Sequence, residues 1–351
     1  MKSFEVTIAG SGKTFTVEEG ETVLAAALRQ GVMLPYSCKN GTCGSCKGKL
    51  ISGSLHYPHH QPEALEPGEA DAGAALFCQA EPLDDLIIEA REIEAVRDIQ
   101  VRMLPARVVE KELLSKNVVR LVLCLPAAQR LQFLAGQYVD IIVEGGKRRA
   151  FSIASSPSRE NEIELHIRHV EGGGFTGYVF DELRERDIMR FEGPLGTFFV
   201  RNDQPGRPMI MMGGGTGFAP LKSMIENLLE QDDHREINLF WGARALEDLY
   251  MDDLASRWAQ DHAHIVYRRA LSEGAGTPEK EAFRGLVHEA VVERHPRLED
   301  FDVYMSGPPL MIEAAKPLFI EHGLPEDRLF YDSFEFGLDV PVPALTLSHR
   351  S

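Results

Sequence analysis

Four unevenly spaced cysteines constrain this 351-residue chain more than any other feature. Cys38, Cys43 and Cys46 follow the pattern Cys-x4-Cys-x2-Cys, and Cys78 comes thirty-two positions later. This is the spacing of a plant-type 2Fe-2S site, in which four thiolates bind two irons. Glycines between the cysteines allow backbone amides to point at the sulfurs and stabilise their negative charge. The sequence therefore predicts that these four cysteines bind a 2Fe-2S cluster.

A zinc site and a redox-active thiol pair are the alternatives. Zinc favours paired Cys-x2-Cys units or added histidines, and no cysteine pairs with Cys78 in that way. His56, His59 and His60 lie nearby, and we interpret them as surface-loop residues. The fifth cysteine, Cys124, lies between two leucines in a predicted strand, so we expect a buried, inert thiol there.

Length and charge limit the possible classes. The chain is long enough for two or three domains, and its net charge of -17 argues against nucleic-acid binding. The sequence shows no signal-peptide pattern of basic residues followed by apolar ones. It also shows no apolar run near the roughly 20 residues that span a bilayer, so we expect a cytoplasmic protein without membrane contact. Residues 1–98 carry fifteen acidic and eight basic side chains. This excess is either a solvated face or a patch that docks a basic partner.

The first two regions of the chain differ in pattern. Residues 1–95 combine a predicted hairpin over 4–17, a helix over 21–30 capped near Thr22, and the cysteine loop. A charged linker is expected near 96–103. Residues 104–202 contain a helix over 176–184 among short strand signals, which predicts an antiparallel β-barrel. Those strands are expected at 118–125, 138–143, 150–154, 163–170 and 188–191.

A third pattern begins at residue 206 and continues to 340. Strands and helices alternate there, which predicts a parallel sheet with helices on both faces. The strands are expected at 209–212, 237–241, 264–268 and 303–305, and the helices at 220–230, 249–260 and 284–294.

Two segments of the middle region suit a nucleotide attached to a flat ring system. Arg149, Phe151 and Ser152 supply a charge, an aromatic ring and a hydroxyl in one strand, and about twenty residues later Gly172, Gly173 and Thr176 precede a helix. Glycines at a helix N-terminus let backbone amides approach a pyrophosphate. Taken alone, the pattern also fits a barrel strand in which Arg149 is a surface residue and Phe151 is a core residue.

A glycine turn and a Ser-Gly-Pro-Pro segment mark the third region. Residues 209–220 read as a strand, a Gly-Gly-Gly-Thr-Gly turn and a helix start, a geometry that binds pyrophosphates. The turn is not Gly-x-Gly-x-x-Gly, which disfavours a standard Rossmann dehydrogenase. Ser306, Gly307 and Pro308 end the last strand of the alternating series.

The order and spacing of these motifs resemble the ferredoxin-NADP reductase superfamily over nearly the whole chain. Within it the chain is similar to the reductase components of phenol and toluene monooxygenases and to the CDP-6-deoxy-3,4-glucoseen reductases. The resemblance implies an N-terminal β-grasp plant-type ferredoxin domain (1–95), an antiparallel β-barrel FAD domain (104–202) and a C-terminal parallel-sheet NAD(P)-binding domain (206–340).

The resemblance also implies roles for individual residues toward FAD. Arg149 would hold a phosphate, Phe151 would stack on the isoalloxazine and Ser152 would lie near its N5. The adenosine side would be lined by the backbone of Ile167 and Val170, the pyrophosphate would be bound by Gly172, Gly173 and Thr176, and Phe334 would cover the flavin. Phe334 equally fits a core aromatic on the last strand. The family usually has Tyr where Phe151 stands, which removes a hydroxyl and keeps the stacking ring.

For the nicotinamide cofactor, the resemblance implies binding by Gly215, Thr216 and Gly217 and by Ser306, Gly307 and Pro308. Ser306 replaces a cysteine usual in the family, which affects how the nicotinamide ring is positioned. Gly242 and Arg244 end the second strand, where related reductases select their cofactor. Glu247 and Asp248 follow, and because an acidic group favours a free 2'-hydroxyl, we expect NADH rather than NADPH.

The sequence thus predicts a reductase that passes electrons from NADH through FAD and a 2Fe-2S cluster to an external acceptor protein. The acceptor is expected to be an oxygenase component or a dehydrase component of dideoxysugar formation. Hydride transfer needs no acid-base catalyst, so no catalytic residue is nominated. A redox sensor or electron carrier without turnover, and a flavin reductase with a vestigial ferredoxin domain, remain the alternatives.

Overall fold

The computed structural model describes residues 2–96, 99–159, 161–273 and 282–334, and three main sheets follow one another along them. Within these residues, no helix has the length and apolar character needed to cross a bilayer. The predicted domain limits stay predictions, and residues 335–340 of the last domain lie outside the described residues.

The N-terminal region is a five-stranded mixed sheet packed on one helix, in agreement with the predicted β-grasp domain. The strand order is β2-β1-β7-β3-β5, and β4 pairs with β6 beside it. Its elements are β1 (Ser3–Ile8), β2 (Thr14–Glu18), α1 (Val23–Arg29), β3 (Lys47–Ser52), β4 (Leu55–His56), β5 (Ala74–Leu76), β6 (Glu81–Pro82) and β7 (Leu86–Glu89). The predicted hairpin and helix are confirmed, and the Thr22 hydroxyl caps α1 by accepting from the Ala25 amide at 3.2 Å.

The middle region is a six-stranded antiparallel sheet with the order β11-β10-β13-β8-β9-β12. Its elements are β8 (Arg102–Ser115), β9 (Val118–Cys124), β10 (Tyr138–Ile142), β11 (Arg148–Ser152), β12 (Glu162–Arg168), α2 (Gly174–Asp181) and β13 (Ile188–Leu195). The two edge strands are joined only near one isolated bridge, between Ile153 and Leu165, in the part of the chain that the structure describes. Because they form no continuous ladder there, closure into a barrel stays a prediction. Cys124 is half-buried at the end of β9, and the expectation of a buried thiol is wrong.

The C-terminal region is a parallel sheet with the order β17-β16-β15-β14-β18-β19. Its elements are β14 (Met209–Gly214), α3 (Phe218–Glu230), β15 (Ile237–Ala243), α4 (Asp252–Asp261), β16 (Ile265–Leu271), β17 (Phe283–Arg284), α5 (Val287–Arg294), β18 (Asp302–Gly307), α6 (Pro309–Glu321) and β19 (Leu329–Ser333). Helices α3 and α4 pack on one face, and α5 and α6 on the other. The prediction of helices on both faces of this sheet is confirmed.

Two details of this region differ from the prediction. The helix expected from residue 284 begins at Val287, because Phe283 and Arg284 extend the sheet beside β16. Helix α6 was not predicted, since Pro309 and Pro317 obscure its helical pattern. Pro309 occupies the first turn, where proline is tolerated because its missing amide has no helical partner.

Candidate functional site

The four predicted cluster cysteines lie together as two pairs. The Cys38 thiol lies beside that of Cys43, and the Cys46 thiol lies beside that of Cys78. These contacts lower the pKa of Cys38 to about 5 and also lower the pKa of Cys46, so one thiol in each pair is readily ionised. Two pairs of sulfurs fit a cluster of two irons, each held by two protein thiolates.

Backbone amides point at the sulfurs, as the glycine-rich loop predicted. The amide of Cys43 donates to Cys38 Sγ at 3.4 Å, and that of Ser45 donates to Cys43 Sγ at 3.4 Å. Gly41 and Gly44 have positive φ angles of 87° and 77°, which residues with a side chain rarely adopt. The loop is therefore shaped to stabilise negative charge on sulfur, as thiolate ligands of a cluster require.

The residues predicted to hold the flavin ring lie on β11. Ser152 is buried, whereas Arg149 and Phe151 are half-buried, and the Phe151 ring centroid lies 5.6 Å from that of Phe175 in α2. Ile167 is buried in β12. An aromatic ring, a hydroxyl and a guanidinium on one strand fit a flavin and an attached phosphate.

The predicted pyrophosphate loop leads into α2, and Gly173 is its N-cap. The Thr176 hydroxyl accepts from the Val170 amide at 3.1 Å and fixes the loop. A Cβ on Gly173 would lie 2.7 Å from Thr176 Oγ1 and 3.0 Å from the Val170 carbonyl, so a side chain there would displace the Thr176 hydroxyl. Gly172, with a φ of 75°, completes a turn that presents the helix N-terminus to an anion.

The glycine turn after β14 lies directly against the Ser-Gly-Pro-Pro segment. A Cβ on Gly217 would lie 2.0 Å from the Ser306 carbonyl, and Trp241 Nε1 donates to the Gly215 carbonyl at 2.9 Å. Ser306 is fully buried, and among the described residues its hydroxyl has no hydrogen-bond partner. A buried hydroxyl of this kind fits a polar group of a ligand, such as a carboxamide.

The other residues predicted to bind the nicotinamide cofactor lie at or just after the ends of neighbouring strands. Gly242 pairs with Gly214 across β14 and β15, and Thr216 lies half-buried in the glycine turn. Pro308 is exposed after β18. Arg244 is exposed and lies 3.8 Å from the Glu273 carboxylate. The strand register therefore brings the predicted residues to one edge of the sheet, at its carboxyl end.

Asp332, which the sequence analysis missed, joins all three regions. Its buried carboxylate accepts from the Ser37 hydroxyl at 2.6 Å and from the Ser152 hydroxyl at 3.3 Å. The backbone of Asp332 in β19 pairs with that of Ser306 in β18. Burial raises the pKa of the Asp332 carboxyl to about 6, although both hydroxyl contacts favour the charged form. Ser37 is next to Cys38 in the chain. Asp332 therefore lies beside residues of the predicted cluster, flavin and nicotinamide sites.

Phe334 and Arg168 lie next to the segments just described. The Phe334 amide donates to the Gly307 carbonyl at 2.8 Å just after β19, and its side chain is half-buried. Arg168, also missed, is exposed at the end of β12, and a Cβ on Gly215 would lie 3.0 Å from its guanidinium. A cation beside a glycine turn fits a pyrophosphate, and its position before the predicted Val170 loop was the available signal.

Three protein families match successive parts of the chain. Residues 6–83 match the 2Fe-2S iron-sulfur cluster binding domain, 105–200 the oxidoreductase FAD-binding domain and 211–317 the oxidoreductase NAD-binding domain. This order agrees with the three regions of the fold and with the predicted order of the sites.

Relatives match the chain over nearly its whole length. The CDP-6-deoxy-L-threo-D-glycero-4-hexulose-3-dehydrase reductase of Yersinia pestis is 39% identical over 332 residues, covering 95% of this chain and 98% of the relative. The phenol 2-monooxygenase reductase component DmpP of Pseudomonas sp. (strain CF600) is 38% identical and covers 96% of each. The crystal structure of the Amycolatopsis cytochrome P450 reductase GcoB superposes with a TM-score of 0.76 at 34% identity, covering 94% of this chain and 98% of that one.

Proposed function

This chain belongs to the ferredoxin reductase family of 2Fe-2S flavoproteins, and from that premise we propose that it passes electrons from NADH to an external acceptor protein. When bound, FAD accepts a hydride from the nicotinamide and releases electrons singly, and a 2Fe-2S cluster carries one electron at a time. The chain's own residues hold these groups, orient them and exclude water. The expected cytoplasmic location stays part of the proposal.

The observation that carries the proposal is the Asp332 junction. Ser37, next to the first cluster cysteine, and Ser152 of the flavin strand both donate to the Asp332 carboxylate. The backbone of Asp332 pairs with that of Ser306 in the proposed nicotinamide segment. The three proposed sites therefore converge on one buried point. A chain of electron carriers needs this proximity, and three independent binding modules would not.

We assign the residues accordingly. The cluster is held by Cys38, Cys43, Cys46 and Cys78. The flavin is held by Arg149, Phe151, Ser152, Ile167, Val170, Gly172, Gly173 and Thr176 and covered by Phe334. The nicotinamide cofactor is held by Gly215, Thr216, Gly217, Gly242, Arg244, Ser306, Gly307 and Pro308, to which Arg168 is added. The paired thiols and their amide donors favour this arrangement over a flavin reductase with a vestigial ferredoxin domain.

NADH remains the proposed cofactor. Arg244 faces the Glu273 carboxylate at 3.8 Å, and Glu247 and Asp248 follow it in the chain. Acidic groups near Arg244 favour a free 2'-hydroxyl over a 2'-phosphate. Steady-state kinetics with NADH and NADPH test this choice, since an equal or better kcat/KM with NADPH contradicts it.

The acceptor is proposed to be a dehydrase or an oxygenase component. Support comes from relatives that are named as reductases of a hexulose dehydrase and of a phenol monooxygenase. Cluster-dependent turnover with one purified component of each class would decide between them.

An anaerobic titration of the purified holoprotein with NADH tests the proposal. We expect the flavin absorbance to bleach first and a rhombic EPR signal of a reduced 2Fe-2S cluster to follow. Flavin bleaching without the EPR signal would contradict the proposed order of carriers. No bleaching at all would favour a sensor or carrier without turnover.

A further inference from the structure

Strand β12 has a polar face that is buried rather than solvated. Ile163, Leu165 and Ile167 fill the core of the flavin region, as alternation in a strand requires. Glu164 and His166 point the other way, yet they are only 2% and 4% exposed, because helix α3 and the segment before α4 cover them. These two side chains therefore lie between the flavin and nicotinamide regions.

Lys222 of α3 reaches Glu164 across the interface. Within its own region, Glu164 also lies 3.9 Å from Arg120 and 3.7 Å from Arg159. The Lys222 ammonium group is buried, with the residue 3% exposed, and lies 3.3 Å from Glu164 Oε1. It also donates to the Ala154 carbonyl at 3.2 Å and to the Glu226 carboxylate at 3.0 Å. All three N–H groups thus have partners, and two of those partners belong to the flavin region.

Neighbouring contacts cross the same interface. The Ser223 hydroxyl donates to the Ser155 carbonyl at 2.7 Å, and the His166 ring contacts the Tyr250 hydroxyl at 2.9 Å and Glu164 at 2.8 Å. We call Glu164, His166, Lys222, Ser223 and Tyr250 the interdomain clamp. Each member is hydrogen-bonded across the interface or to another member.

The clamp connects the two segments between which a hydride would pass. Helix α3 begins immediately after Gly217 of the glycine turn, and Lys222 lies five residues further on. The Ala154 and Ser155 carbonyls lie two and three residues after Ser152 on the flavin strand. An apolar interface tolerates small sliding movements, whereas a buried ion pair loses its partners when it moves.

We propose that Lys222 is a positioning residue, which through the clamp sets the distance between the nicotinamide site and the flavin strand. This inference rests on the proposed function, because it concerns the geometry of the hydride transfer. Reacting atoms must approach within about 3–3.5 Å, and a displacement of about 1 Å lowers such a rate by about 100-fold. Lys222 itself does not touch the reacting atoms in this assignment.

The test compares Lys222→Met with two other variants of the full-length holoprotein. Methionine keeps the length and apolar stem of the side chain and removes all three donors. Ser223→Ala removes one cross-interface hydrogen bond and leaves no buried charge unpaired, so it keeps the test decisive if Lys222→Met does not fold. Arg207→Met is the matched control, because its 3.1 Å ion pair with buried Asp302 lies within the nicotinamide region, at the amino ends of the strands.

Anaerobic stopped-flow measurements give the rate constant of flavin reduction at saturating NADH. We expect a decrease of about 10- to 100-fold in Lys222→Met, a smaller decrease in Ser223→Ala, and less than a twofold change in Arg207→Met. The dissociation constant of ADP-ribose, which lacks the nicotinamide, should stay within twofold of wild type. The charge-transfer absorbance between the reduced flavin and NAD⁺ should weaken in Lys222→Met and stay unchanged in Arg207→Met.

Amide hydrogen exchange provides a readout that does not depend on turnover. Exchange should accelerate at residues 153–156 and 218–226 in Lys222→Met and not in Arg207→Met. A wild-type rate of flavin reduction in Lys222→Met, or an equal loss in Arg207→Met, would overturn the inference. If wild type itself does not reduce its flavin with NADH, the proposed function fails instead, so the two failures are distinguishable.

Discussion

Replacing Asp332 by Asn tests the junction at which the three regions meet. The Asp332 carboxylate is 5% exposed and accepts from the hydroxyls of Ser37 and Ser152. Burial is the largest influence on this group and raises its pKa from 3.8 to about 6. Asparagine has nearly the same shape but does not titrate, so the variant isolates the effect of the charge.

The magnitude follows from the two pKa values. A difference of about two pH units corresponds to about 3 kcal/mol of free energy. Since the pKa in the folded protein lies above the unfolded value, this contribution is fully present below pH 3.8 and is lost as the pH rises through about 6. Relative to Asp332→Asn, wild type should therefore gain free energy of unfolding as the pH falls, by about 1.4 kcal/mol between pH 8 and pH 5.

Tryptophan fluorescence during urea unfolding is a suitable assay. The chain has two tryptophans, Trp241 and Trp258, and both pack in the same region as Asp332. Unfolding curves of wild type and variant at pH 5 and pH 8 give a double difference in which other titrating groups cancel. An unchanged separation between the two curves at both values of pH would refute the argument that burial of this charge sets the pKa.

Three further variants test the proposed sites. Cys43→Ser should abolish cytochrome c reduction by NADH while flavin bleaching stays within about twofold of wild type, because an alcohol does not replace the thiolate ligand; equal loss of both activities would contradict the order of carriers. Gly217→Ala should abolish flavin reduction by NADH but not by dithionite, since the new Cβ would lie 2.0 Å from the Ser306 carbonyl; wild-type kinetics would show that the turn can move away. Arg168→Ala should raise the KM for NADH by about 10- to 100-fold, the equivalent of one charge-assisted hydrogen bond of about 1.5–3 kcal/mol; an unchanged KM would remove Arg168 from the nicotinamide site.

The sequence predicted those parts of the structure that depend on residues close together in the chain. Alternation in residues 4–17 gave the hairpin, because its apolar side chains share one face of the sheet. The positive φ angles of Gly41 and Gly44 explain why a glycine-rich loop could be interpreted as a cluster-binding loop. The turn before α2 was likewise predictable, since Gly173 and Thr176 contact one another and are only three positions apart.

Contacts between distant residues were not predictable in the same way. Ser37 and Asp332 are 295 positions apart, and nothing in either local sequence indicates that they meet. The polar face of β12 was missed for a related reason. Glu164 and His166 alternate with apolar residues, which is also the pattern of a strand with one solvated face. The packing of α3 and of the segment before α4 shows that both are buried.

The two interfaces of the flavin region differ in the chemistry that holds them. The ferredoxin region is attached to it by hydroxyl and backbone hydrogen bonds, including Tyr138 to the Ser37 carbonyl at 2.9 Å and the Tyr36 amide to Thr197 at 3.0 Å. Water can replace such partners at a modest cost of about 0.5–1.5 kcal/mol each. The nicotinamide region is attached by the buried ion pair of Lys222 with Glu164, and each of these two charges also has a charged neighbour within its own region, Glu226 for Lys222 and Arg159 for Glu164. We therefore expect the interface that a buried ion pair crosses to be the harder of the two to open.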